Sequence, residues 1–132
     1  MNIVMFFNKS LNAGFRLFNV IEPYIDKDQI EIFRSIDDFS FKMLQPLPSQ
    51  VIIIVLPANL KELFYLISIN DLFTGRSLIL ILPDRDKETT KVGFKLYPRF
   101  VSYSDSNFSD VCMVFAKLRL YLEWKYRNLI MT

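Results

Sequence analysis

The run Val51–Pro83, VIIIVLPANLKELFYLISINDLFTGRSLILILP, constrains this chain more than any other. It begins and ends in aliphatic segments, Val51–Leu56 and Leu78–Leu82, each stopped by a proline. Strands this apolar, with no polar alternation, are covered on both faces, as in a parallel sheet under helices. Between them Asn59 and Glu62 have the spacing of a capping box, whose side chains satisfy backbone N–H groups of a helix's first turn. Leu60, Leu63, Phe64 and Ile67 recur at helical spacing and predict the face that covers the sheet. Gly75 supplies a residue that tolerates the left-handed backbone at a helix end. The run reads as the central βαβ unit of the chain.

The flanks extend the pattern. Asn2–Phe7 is a β-branched and aromatic strand that stops at Asn8-Lys9-Ser10. Ser10 is placed to cap a helix whose face is Leu11, Gly14, Phe15, Phe18 and Ile21, limited by Pro23. In Gln29–Arg34, Ile30 and Ile32 alternate with charge, which predicts an edge strand with one wetter face. Ser35 and Asp38 repeat the capping signature ahead of a helix from Ile36 to about Gln45, closed by Pro46. Asp84–Glu88 opens a weakly apolar fourth helix that runs to about Lys95, and Phe100–Tyr103 is a fifth strand. Ser109 or Asp110 caps a last helix to about Arg127. Five strands alternating with five helices imply a parallel sheet with helices on both faces. Right-handed crossovers, the wetter edge strand and the aliphatic centre favour the flavodoxin-like order 2-1-3-4-5.

Composition narrows the chemistry. The 132 residues are one domain in size, and the 52% hydrophobic content argues against disorder. Sixteen basic residues against fourteen acidic ones leave a net charge of +2, with no basic block that would mark a nucleic-acid partner. There is no histidine, which removes the commonest general base, the commonest metal ligand and every Ser-His or Cys-His nucleophile pair. The single cysteine, Cys112, reads as a buried structural thiol. No apolar run reaches the ~20 residues that span a bilayer, and MNIVMFF lacks the features of a signal peptide, so a cytoplasmic location is expected.

The length, the element order and two local features resemble the receiver domain of bacterial response regulators. The short second helix closed by Pro46 and Pro48 just before VIIIVL is similar to that family's approach to its third strand, and the weak fourth helix with Gly93 ahead of the fifth strand is similar too. The family's reactive residues have no counterpart. Phe7 and Asn8, followed by Lys9, stand where receivers carry the acidic pair that holds Mg²⁺, and Val55 or Leu56 stands at the phosphoacceptor aspartate. Leu82 or Pro83 replaces the Ser/Thr, and Tyr103 or Ser104 replaces the Lys. Without these carboxylates there is neither an oxygen cage for Mg²⁺ nor a phosphoryl acceptor. The resemblance implies a degenerate receiver that works without phosphorylation, cofactor, metal or catalysis.

Three places are candidates for function. The switch point between the first and third strands brings together Lys9, Ser10 and Asn59, two helix N-termini and one lysine, an arrangement suited to an anion or cofactor. Plain capping and a solvated lysine explain the same residues, and a glycine-rich phosphate loop is missing. Asp84, Asp86 and Asp105 near strand ends read as caps and turns before they read as a metal site. The last helix carries two stripes. Val111, Val114, Phe115, Leu118, Tyr121 and Leu122 suffice to dock it on the sheet, while Met113, Leu120 and Trp124, flanked by Lys117 and by Arg119 with Glu123, lie opposite. That second stripe predicts an interface, with a homodimer or another protein, unless the C-terminal NLIMT or the fourth helix folds over it. The family's use of its fourth helix, fifth strand and fifth helix for pairing points to the same face.

Overall fold

The computed structural model describes residues 2–8, 10–48 and 50–131. Five strands, β1 (Asn2–Phe7), β2 (Ile30–Phe33), β3 (Val51–Leu56), β4 (Ser77–Leu82) and β5 (Phe100–Tyr103), form one sheet of order β2-β1-β3-β4-β5. All four pairings are parallel. The alternating helices are α1 (Asn12–Ile21), α2 (Ile36–Met43), α3 (Leu60–Ser68), α4 (Lys87–Gly93) and α5 (Ser109–Met131). This is the flavodoxin-like α/β layout that the sequence predicts.

The unbroken apolar runs are explained by the pleat, which sends successive side chains to opposite faces. Ile3, Met5 and Phe7 of β1, Ile52, Ile54 and Leu56 of β3, and Ile79 and Ile81 of β4 pack under α1 and α5. Their neighbours Val4, Phe6, Ile53, Val55, Leu78, Leu80 and Leu82 pack under α2, α3 and α4. Every residue of β3 and β4 is buried. The alternating strand β2 does lie at an edge and is only partly buried.

Local signals set most element ends. The Ser35 hydroxyl accepts the Asp38 N–H, and the Asn59 side chain accepts the Glu62 N–H at 2.9 Å. Glu62 reaches back to the Ala58 N–H, also at 2.9 Å. Ser10 does not cap α1. Its N–H and hydroxyl both donate to Asn8 Oδ1, in a side-chain turn that competes with capping, and Leu11 occupies the cap position. Gly75, at φ +77°, turns the chain into β4 after a 3₁₀ turn at Asn70–Phe73, whereas α3 has already ended at Ser68.

Three helices are rotated relative to the faces that spacing predicts. In α1 the buried residues are Ala13, Gly14, Leu17 and Ile21, while Phe15 is exposed at its rim. In α3, Leu66 is buried and Phe64 is exposed. In α5, Tyr121 turns outward while Val111, Phe115, Leu118 and Leu122 stay in. The helix α4 closes at Gly93 and passes through a 3₁₀ turn to Tyr97, which takes a left-handed conformation at φ 50°. The helix α5 runs one turn beyond the expected Arg127. Among the described residues no helix is long and apolar enough to cross a membrane.

Candidate functional site

At the C-terminal ends of β1 and β3, where ligands of such sheets usually bind, an aromatic plug fills the space. Phe7 is fully buried, its ring meets Phe15 edge-on at 5.0 Å, and the Arg34 guanidinium lies 4.9 Å above Phe15. The ring occupies the space a side chain at position 14 would need: a Cβ on Gly14 would lie 2.1 Å from Phe7 Cδ2. Glycine is required there by close approach.

The polar groups around this rim bond to one another. Ser10 is spent on Asn8 and Asn59 on the start of α3, and Lys9 lies outside the described residues. Arg16 of α1 donates to the Ser104 and Ser106 carbonyls. Arg85 donates from both Nε and Nη2 to the Asp105 carboxylate and sits 4.3 Å over the Tyr103 ring. That hydrogen-bonded guanidinium holds the Asp105 carboxyl below its ordinary range and raises Arg85 in turn. The buried Ser102 hydroxyl donates to Asp110 at 3.0 Å. Asp84 accepts the Asp86 N–H, closing a turn. Among the described residues no group of three His, Cys, Asp or Glu could hold a metal. No sequence signal linked Arg16 or Arg85 to a loop some 20 to 90 residues away.

The Cys112 thiol is half-buried and faces the Val20 carbonyl at 3.7 Å. Burial, with Asp110 nearby, pushes its pKa up and keeps it a thiol, the less nucleophilic form.

The outer face of α5 is different. Met113, Leu120 and Trp124 are 63%, 67% and 60% exposed, and Lys117 is exposed beside them. The four predicted residues thus share one side of the helix, opposite the buried stripe. The C-terminal segment continues as helix through Met131 and does not fold back over them. Spacing alone missed Tyr121, which joins this face at 44% exposure, with the Arg99 guanidinium 5.8 Å above its ring. On the other side of α5, Arg119 bonds the Tyr24 carbonyl and pairs with Glu123, tying the helix to the segment after α1.

At the opposite end of the sheet, a groove of about 340 Å³ is lined by Leu47, Gln50, Arg76, Leu122, Lys125 and Tyr126, among others. Arg76 is anchored there by the Leu72 carbonyl at 2.9 Å.

Against this geometry, comparison with protein-family models, with curated proteins and with solved structures finds no match to the chain.

Proposed function

We propose that this chain is a receiver-like regulatory module that works without phosphorylation, by docking a protein on the outer face of α5. The observation that carries the reading is the second apolar stripe. A helix covering a sheet needs one such stripe, and α5 keeps Met113, Leu120, Tyr121 and Trp124 in water in addition to its buried one. Exposed tryptophan and its apolar neighbours are the usual anchors of an interface. The strand ends support the second half of the reading. Phe7, Leu56 and Leu82, three of the residues that the resemblance sets at the family's reactive positions, are fully buried hydrocarbon.

A photo-crosslinking residue placed at Leu120 in cells tests the docking. Discrete adducts are expected at Leu120 and should vanish in the Trp124→Ala background. The same probe at Phe41, exposed on α2 across the sheet, should give none. No adducts at Leu120, or the same pattern at both positions, would sink the reading. Light scattering on the purified protein separates a second copy from a different protein as the occupant.

A further inference from the structure

Resting on that reading, we infer that the occupant of the α5 face is an acidic amphipathic helix of another protein and not a second copy of this chain. The shape argues for a helix. Met113, Lys117, Leu120, Trp124 and Arg127 follow one another at intervals of four, three, four and three residues, the seam along which two helices pack. The 23 residues of α5 extend about 35 Å, room for three such repeats.

The charge argues for an acidic partner. Lys117 and Arg127 sit on the seam, exposed and with no carboxylate partner among the described residues. Arg99 adds a third cation over Tyr121. The nearby carboxylates are engaged: Glu123 is paired with Arg119, and Asp110 holds the Ser102 hydroxyl and the Val111 N–H. The imbalance is local, since residues 87–132 hold eight Lys/Arg against four Asp/Glu while residues 1–86 hold eight against ten. A second copy meets this pattern badly. Laying Leu120 of each copy against Trp124 of the other brings Lys117 opposite Arg127, and a parallel alignment sets each cation against its own counterpart. Carboxylates flanking an apolar stripe instead neutralise both cations while Leu120 and Trp124 are buried.

Trp124 is the only tryptophan, so its emission reports directly on this face. The test titrates the protein with a designed helical peptide bearing leucine at its a and d positions and glutamate at e and g. A peptide with lysine at e and g is the control. The acidic peptide should shift Trp124 emission to the blue saturably, more weakly as salt rises, and the basic peptide should not. Lys117→Glu with Arg127→Glu should weaken the acidic peptide by about tenfold or more and admit the basic one. Equal binding of both peptides, no response to the acidic one at millimolar concentration, or a blue shift with anionic vesicles or single-stranded RNA in its place would overturn the inference. So would a dimer that buries Trp124 at micromolar concentration. Crosslinks at Leu120 that persist through those results would leave the docking function standing and the acidic partner refuted.

Discussion

The strand-end rim and the outer face of α5 are both exposed ends of the same layered structure, and they are finished in opposite ways. At the rim Arg16, Arg85, Asp105, Ser10 and Asn59 bond to neighbouring groups of the protein, and an aromatic ring fills the space below. On α5, two cations and four large apolar side chains are left to water. Groups that satisfy one another stabilise the fold and leave little for a ligand. Apolar groups left in water gain free energy when a partner buries them, and hydrated cations beside them select that partner's charge. The contrast moves attention from the usual ligand position of this architecture to a helix surface.

The contrast breaks most visibly at Phe7. Replacing it with alanine should cost about 3–5 kcal/mol in urea unfolding, because a fully buried ring is lost from a packed site. A loss below about 1 kcal/mol would show that the rim is not plugged as described. Gly14→Ala tests the same contact from the other side. The added methyl meets the Phe7 ring, so a loss of about 1–3 kcal/mol is expected.

A smaller effect belongs to Asp105. Its folded pKa is depressed by Arg85, so its contribution is complete above the unfolded carboxyl value of about 3.9 and fades as pH falls through the lower folded value. Asp105→Asn should therefore lower stability slightly at neutral pH, converge with the wild type once pH falls below the folded value, and so flatten part of the acid limb of the stability profile. High salt should reduce even that difference, since the pair is exposed. A variant with an unaltered acid limb would remove the pair from the account of the rim. The smallest effect on folding is expected on α5, where Leu120→Ala and Trp124→Ala should each stay within about 0.5 kcal/mol, while Trp124→Ala abolishes the crosslinks from position 120. A large loss of stability in either would mean that this face is structural.

Much of this architecture is legible in the chain itself. VIIIVL and the aliphatic run at Leu78–Leu82 announce central strands, Glu31 between two isoleucines announces the edge, and Asn59 with Glu62 announces the start of α3. These signals are local, carried by residues within one turn or one strand of each other. The second stripe of α5 is legible for the same reason, since spacing along one helix is enough to separate two faces.

What the chain alone determined, then, was the order of elements, the doubly covered sheet and the presence of a surplus apolar face on its last helix. Only the tertiary structure decided how each helix is rolled against the sheet, which turned Phe15, Phe64 and Tyr121 outward and Leu17 and Leu66 inward. It alone joined Arg16 and Arg85 to the loop after β5 and brought the Phe7 ring onto Gly14. Periodicity tells which side chains share a face but not the angle at which that face meets another layer. That angle is settled by the packing of rings and methyl groups between segments far apart in sequence.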